Sequence, residues 1–212
     1  MVSIMTFFTI IKFHSHSAKI AWLPVMLLLS ACVATPEKKG GDEYAVKIDF
    51  VENKSVDRSV RKDFAAATKL IQQKQYEKAI NLLKKVIKGS QNNSAPYINI
   101  AIVYAMLGQM DDAEENLKNA ITINPDHPVA NNEYALILRK TGRYSEAKLI
   151  YEKLLVKYPG FMPARKNYGI LCDLYLNDPS CALEQYETYF EVFPNDEDVK
   201  MWIAGLKQKL GK

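Results

Sequence analysis

The sequence predicts an all-α protein built from repeated helical hairpins. Three kinds of landmark recur thirty-four residues apart, namely the pairs Gly108 and Gly142, Ala113 and Ala147, and Pro125 and Pro159. A fixed period of this length is the signature of a repeat architecture. Because one hairpin cannot bury its apolar face alone, such hairpins stack on their neighbours. The product is a long, partly concave surface, which suits a binding protein better than an enzyme.

The repeat at 94–127 shows how each hairpin is encoded. An apolar stretch from Pro96 to Leu107 predicts the first helix, and Gly108 ends it, because the residue after a helix commonly needs a positive φ. A second helix follows, with apolar residues at helical spacing. Its apolar face is formed by Ala113, Leu117, Ala120 and Ile121. Pro125 stops this helix, because the residue before a proline is pushed out of the α region.

The repeat at 128–161 follows the same pattern, and a weaker copy lies on each side of the central pair. The upstream copy, 60–93, has Lys74 where the turn glycine would stand. The downstream copy, 162–195, matches only if one residue is inserted at its turn. That turn reads Asn177-Asp178-Pro179, which is favourable turn chemistry. The sequence therefore predicts about four hairpins.

Residues 196–212 predict one further helix. Its apolar stripe consists of Val199, Trp202, Ile203, Leu206 and Leu210. A repeat array needs a terminal helix with a polar outer side to cover its last apolar face, so we expect a cap. A binding anchor at Trp202 is the alternative.

This pattern resembles the tetratricopeptide repeat family. In 94–127 the family's positions are occupied by Tyr97, Ile100, Ala101, Tyr104, Gly108, Ala113, Leu117, Ala120 and Pro125. The resemblance implies a right-handed superhelical array of about four helix-turn-helix repeats over 60–195, closed by a C-terminal capping helix. It also implies that the first helices line a concave face that binds partners.

The N-terminus contains a predicted targeting segment. Residues 1–31 contain a short apolar run preceded by lysines, which describes a secretory signal peptide. The run ends in Leu29-Ser30-Ala31-Cys32, which resembles the bacterial lipobox and implies cleavage before Cys32 and lipidation of that residue. The alternative is an ordinary signal peptide with a chance cysteine. Val33 follows where an aspartate would favour inner-membrane retention, so we expect the outer membrane, facing the periplasm.

The segment 32–59 predicts a polar tether between the lipid and the repeats. The alternating stretch Tyr44–Val51 interrupts it. The sequence leaves open whether this stretch is a strand that pairs with something or an ordered arm on the first repeat.

Composition argues against several other classes of function. Without residues 1–31 the chain has 26 basic and 24 acidic residues and no basic stripe interleaved with aromatics, so we expect no nucleic-acid binding. His127, the one histidine after residue 31, stands in a predicted loop. No metal-ligand spacing or phosphate loop is present in the sequence. We therefore expect no enzyme activity, cofactor, metal or small-molecule substrate.

Two further cysteines flank the Asn-Asp-Pro turn. Cys172 lies on the first helix of the last repeat and Cys181 at the start of the second. In an oxidising compartment two thiols across a tight hairpin favour a disulfide. The alternative is a pair of buried free thiols.

The resemblance places a candidate binding groove on the first helices. Its predicted lining is Phe64, Ile98, Ile102, Met106, Asn132, Leu136, Arg139, Lys140, Lys166, Asn167 and Ile170. This mixture suits a peptide or helix held by apolar anchors and oriented by polar contacts. The chaperone-type members of the family clamp a C-terminal carboxylate, but Phe64, Thr68, Ile98 and Ile102 stand where that clamp needs polar groups. The alternative is that several apolar members pack between helices and no groove ligand exists.

Together these features predict a non-catalytic, membrane-anchored scaffold that holds envelope proteins, similar to the pilotins that assemble pilus secretins. An accessory of a TonB-type energised transport system, or a positioning factor for cell-wall enzymes, remains an alternative, because fold alone does not choose between them.

Overall fold

The computed structural model describes residues 57–212, which form helices and turns without a strand. Their helices are α1 (Arg58–Gln72), α2 (Tyr76–Gly89), α3 (Ala95–Met106), α4 (Met110–Ile123), α5 (Pro128–Lys140), α6 (Tyr144–Lys157), α7 (Met162–Leu174), α8 (Pro179–Val192) and α9 (Glu197–Lys209). In this part of the chain no helix combines the length and apolar character needed to cross a bilayer. The predicted signal peptide, Cys32 and the stretch Tyr44–Val51 lie outside the described residues.

Consecutive helices pair into four antiparallel hairpins, α1 with α2 through α7 with α8, and α9 packs on α8. Each hairpin stacks on the next, because its second helix also contacts the first helix of the following hairpin. The predicted all-α array with a terminal helix is confirmed. The stacking gives every hairpin the apolar partner that it lacks alone.

The turns inside the hairpins repeat a left-handed backbone conformation. Gly108 and Gly142 have φ values of 78° and 82°, and Lys74 stands at the matching position with φ 59°. In the last hairpin this role passes to Asn177, with φ 49°, one residue later than the repeat spacing would place it. The inserted residue that the sequence requires is therefore absorbed at this turn. Lysine tolerates such a φ less well than glycine, because its Cβ crowds the carbonyl.

The array has an inner and an outer side. Each first helix contacts the first helix of the next hairpin, whereas neighbouring second helices make no comparable contacts within the described residues. Helices that stay close along a stack lie on its inner side, and helices that diverge lie outside. The helices α1, α3, α5 and α7 therefore line the concave side.

One glycine in the last hairpin marks a close helix approach. The first three hairpins carry buried alanines at equivalent positions, namely Ala67, Ala101 and Ala135, and the fourth carries Gly169. A Cβ at Gly169 would lie 2.4 Å from a ring carbon of Tyr186. Because Tyr186 is almost fully buried, its ring occupies the space that an alanine would need.

The terminal helix α9 is fixed at its start by Asp196. One carboxylate oxygen of Asp196 accepts from the backbone N–H of Val199 at 3.2 Å and caps the helix. The apolar face of α9 joins the core through Val199 and Leu206, and Trp202 packs on Tyr186 with ring centroids 5.2 Å apart. The opposite side of α9 is exposed and carries Lys200, Lys207 and Lys209 together with Met201.

Candidate functional site

The floor of the concave side is a row of three aliphatic residues. Ile102, Leu136 and Ile170 stand at equivalent positions of α3, α5 and α7, and each keeps part of its side chain exposed. Because the three helices are neighbours on the concave side, these three positions follow one another along the array. They give the centre of the predicted groove partly exposed aliphatic side chains.

A second row runs along the C-terminal ends of the same helices, and we call these six residues the groove edge: Met106, Leu107, Arg139, Lys140, Leu174 and Tyr175. The side chains at the ends of α3 and α7 are exposed, 58% for Met106 and 67% for Leu174. Between them α5 ends in two cations, of which Lys140 is exposed and Arg139 is partly buried. The groove edge thus alternates apolar, cationic and apolar along the array.

Arg139 is held in place by aromatic rings rather than by a carboxylate. Its guanidinium carbon lies 5.7 Å from the ring centroid of Tyr175, and that ring packs against Tyr144 at 4.9 Å. The Nε–H of Arg139 is buried and has no acceptor. Within residues 57–212 neither Arg139 nor Lys140 forms an ion pair. The exposed Lys140 is therefore available to an incoming anion, and Arg139 adds a second positive charge beside it.

The structure corrects the predicted placement of Phe64 and Ile98, which it buries in the core. Ile98 has no exposed surface and packs in one cluster with Val129 and Ala130 of the following hairpin. Phe64 is 6% exposed and packs in the cluster that contains Leu83 and other residues of the first two hairpins. Side chains covered by the next hairpin cannot contact a ligand.

The two asparagines of the predicted groove bind each other. Asn167 donates from Nδ2 to Oδ1 of Asn132 at 3.1 Å, which links α7 to α5. Asn132, 3% exposed, in turn donates to the carboxylate of Glu133 at 2.9 Å. Burial raises the pKa of Glu133, and the hydrogen bond from Asn132 and the charge of Lys140 oppose that rise. These amides link neighbouring helices; Asn132 is buried and so does not line the groove, whereas Asn167 is partly exposed and its groove role stays a prediction.

The predicted groove cation Lys166 is likewise engaged within the protein. Its Nζ pairs with the carboxylate of Asp196 at 2.6 Å and lies over the rings of Tyr189, at 5.2 Å, and Trp202, at 5.6 Å. Lys166 therefore secures the start of α9. Its charge is thus paired within the protein, and its place in the binding groove stays a prediction.

Three residues of the groove edge, Leu107, Leu174 and Tyr175, are absent from the predicted lining. The repeat spacing does indicate Leu174, because it stands two repeat lengths after Met106 and one after Lys140. The irregular turn that follows directly at Asn177 hides this register.

Cys172 and Cys181 are joined by a disulfide, as the sequence predicts, with their Cα atoms 5.9 Å apart. The bond connects α7 to the first turn of α8, and Cys172 has no exposed surface. It closes the one hairpin whose turn carries an extra residue. The disulfide therefore supports the helix that presents Leu174 and Tyr175.

Catalytic chemistry finds no support at the one histidine of this region. His127 accepts a hydrogen bond at Nδ1 from the backbone N–H of Ala130 at 3.3 Å and so caps α5. In the part of the chain that the structure describes, no group of histidine, cysteine and carboxylate residues is arranged to hold a metal ion.

An array of helical hairpins with a partly apolar, partly cationic concave side defines a repeat protein of the binding type. Residues 70–116 and 108–165 match the model of the tetratricopeptide repeat family. The stretch from 70 to 165 is therefore made of tetratricopeptide repeats.

Curated relatives cover less of the chain. It is 27% identical over 130 residues to the small glutamine-rich tetratricopeptide repeat-containing protein 2 of Saccharomyces cerevisiae, across 60% of this chain and 38% of that protein. It is 32% identical over 89 residues to the protein of the same name from Mycosarcoma maydis, across 42% of this chain and 25% of that protein. The chain thus spans well under half the length of these relatives.

Solved structures of bacterial repeat proteins share the fold. Pseudomonas aeruginosa PilF superposes with a TM-score of 0.67 at 21% identity, covering 74% of this chain and 71% of that one. MamA from Desulfovibrio magneticus RS-1 gives 0.63 at 16% identity, covering 74% and 88%. The thermophilic repeat protein TTC0263 of Thermus thermophilus gives 0.61 at 18% identity, covering 70% and 81%. At these identities the likeness concerns the fold alone.

Proposed function

We propose that this protein is a non-catalytic scaffold that binds segments of partner proteins on its concave side. The observation that carries the proposal is the groove edge, where large apolar side chains are exposed beside cations that have no ion-pair partner within residues 57–212. Soluble proteins rarely leave such a surface uncovered unless it binds something. The tetratricopeptide repeats of this chain supply the elongated frame that such binding needs.

The proposal places the scaffold in the cell envelope of a Gram-negative bacterium. The disulfide between Cys172 and Cys181 suits an oxidising compartment outside the cytoplasm. The sequence that ends at Cys32 adds a lipid anchor, which would hold the repeats at the outer membrane, facing the periplasm. Among envelope roles we favour assembly or stabilisation of a complex in the manner of a pilotin, and the fold shared with PilF is compatible with it. An accessory of TonB-type transport, or a positioning factor for cell-wall enzymes, is the alternative.

Crosslinking from intact envelopes tests the binding role. The lipidated protein is compared with Met106→Glu, which puts a charge on the groove edge, and with Leu149→Glu as a matched control. Met106 and Leu149 are similarly exposed, 58% and 56%, but Leu149 lies on the outer helix α6. We expect one partner that is captured by the wild type and by Leu149→Glu and is lost with Met106→Glu. Equal capture by all three proteins would contradict a concave binding site.

The anchor is tested separately. Cys32→Ser should abolish the mass increase of a lipidated N-terminus and release the protein from washed outer membranes into the periplasmic fraction. A protein that stays bound to the membrane with serine at this position, and with the mass of an unlipidated chain, would contradict the proposed anchor.

A further inference from the structure

We propose that the groove edge binds an acidic segment of a partner in extended conformation, with two apolar side chains flanking its carboxylates. The inference rests on the proposed function, since it takes the concave side to be the partner-binding site. It adds the charge and conformation of the bound segment and names the residues that bind it.

The apolar ends of the groove edge provide two separate anchors. Met106 and Leu107 form one at the end of α3, and Leu174 and Tyr175 form the other at the end of α7. These are four of the nine large hydrophobic side chains that are exposed within residues 57–212. Such a concentration on one row marks an interaction surface rather than scattered surface residues.

The charge between the anchors defines what the segment must carry. α5 ends in Arg139 and Lys140, so the middle of the groove edge is doubly positive. The guanidinium of Arg139 lies over the ring of Tyr175, and within residues 57–212 it forms no ion pair with a carboxylate. A carboxylate is the acceptor that forms the strongest hydrogen bonds with guanidinium and ammonium groups, and Lys140 is exposed to receive one. Two acidic side chains are near: Glu133 lies two turns earlier on α5 and accepts from Asn132, and Asp173 stands on α7 at the repeat position of Arg139. In the part of the chain that the structure describes, neither forms an ion pair with Arg139 or Lys140.

The deeper polar groups of the groove do not compete for this anion. Lys166 is paired with Asp196, and Asn132 is bonded to Asn167. An acidic ligand therefore meets its charge partners at the groove edge and not at the floor. This placement also differs from a clamp for a terminal carboxylate, so an internal acidic segment fits.

The spacing of the anchors favours an extended segment. Packed helices lie roughly 8–10 Å apart, so two steps from α3 to α7 separate the anchors by about 16–20 Å. An extended chain covers this distance in roughly six residues, at about 3.3 Å each. Side chains two residues apart share one face of an extended chain. A segment with apolar residues at its first and seventh positions and carboxylates at its third and fifth presents all four to the groove edge.

Fluorescence anisotropy with synthetic peptides tests this inference. The probe is a labelled, C-terminally amidated peptide with the core Leu-Ser-Glu-Ser-Glu-Ser-Leu, and its controls replace both glutamates by glutamine or by lysine. With the purified full-length protein we expect the glutamate peptide to bind at least about tenfold more tightly than either control, because each charge-assisted hydrogen bond is strong. Its affinity should fall with added salt.

Charge reversal identifies the residues. Lys140→Glu should weaken the glutamate peptide about tenfold and improve the lysine peptide, whereas Lys153→Glu on the outer helix α6 makes the same change of charge and should leave both unchanged. Met106→Ser and Leu174→Ser should each weaken the glutamate peptide, and Leu149→Ser should not. Circular dichroism of each variant verifies that the helices are retained.

Three outcomes would overturn the inference: equal affinity for the glutamate and glutamine peptides, equal effects of Lys140→Glu and Lys153→Glu, or no binding of the glutamate peptide at millimolar protein. If partner capture from envelopes still depended on Met106, the binding scaffold would stand and only the acidic, extended chemistry would fall. If the peptide does not bind and partner capture does not depend on Met106, the proposed function is contradicted as well.

Discussion

Replacing Asp196 with alanine should loosen the terminal helix more than its single position suggests. Its carboxylate caps α9 at Val199 and accepts from Lys166 at 2.6 Å and from Tyr189 Oη at 3.1 Å. Loss of the cap costs about 1 kcal/mol. The side chain of Lys166 is 24% exposed, so losing its partner adds about 1–2 kcal/mol. We expect the free energy of unfolding to fall by about 2–3 kcal/mol.

Urea unfolding followed by circular dichroism measures this loss, with Asp198→Ala as the control. Asp198 is also in the first turn of α9, but it is exposed and caps nothing in the structure. Its replacement should cost only the dipole term, below about 1 kcal/mol. In a Lys166→Met background, Asp196→Ala should cost about 1 kcal/mol less than in the wild type, since one of its bonds is already absent. Equal costs for Asp196→Ala and Asp198→Ala would refute this account of how α9 is held.

The remaining predictions concern single sites. Lys74→Gly should stabilise the protein by about 0.5–1 kcal/mol in urea unfolding, because its φ of 59° suits glycine; a loss of stability would contradict this. Gly169→Ala should destabilise it by about 1–3 kcal/mol, since the added Cβ would clash with a buried ring; an unchanged midpoint would argue against close packing there. The hydrogen bond from the guanidinium of Arg143 lowers the pKa of the Glu114 carboxyl group to about 2, from an ordinary 4.5, although burial opposes the shift. The stabilisation from this ion pair is therefore complete above pH 4.5 and is lost as the pH falls towards 2. Glu114→Gln should therefore lower the free energy of unfolding by about 1–3 kcal/mol at pH 7 and reduce its dependence on pH in this acid range. Parallel curves of unfolding free energy against pH for the variant and the wild type would contradict the role assigned to Glu114. Reduction of the disulfide should lower the free energy of unfolding of the wild type by about 2–3 kcal/mol and should leave that of a Cys172→Ser, Cys181→Ser variant unchanged. The melting temperatures of both proteins are measured with and without reductant.

The fold could be predicted because its determinants are local. A glycine at the turn of each of the two central hairpins and a proline after the second helix of each act through the backbone of their own neighbourhood, and the repeat spacing strengthens the signal. Even the irregular fourth hairpin was readable, since the extra residue falls in a segment, Asn177-Asp178-Pro179, that favours a turn by its own chemistry.

The groove was harder to predict, because exposure depends on the neighbouring hairpin. Ile98 stands at the same repeat position as Lys166, yet the following hairpin covers Ile98 and leaves Lys166 partly accessible. Lys166 pairs with the carboxylate of Asp196, thirty residues away, and no local sequence pattern predicts that pair. Sequence period identifies the helix face but not which of its side chains are already engaged.

The last hairpin departs from the repeat pattern in ways that all bear on the groove edge. In a stack of repeats, each unit is stabilised only by its neighbours, so the terminal units open first. The fourth hairpin lies next to the end of the array and nevertheless carries one of the two apolar anchors, Leu174 with Tyr175. Its turn is lengthened, but a disulfide closes the hairpin and Lys166 ties it to the cap. These bonds raise the free energy needed to open the hairpin, and they thereby keep the apolar anchor at a fixed distance from the cations of α5.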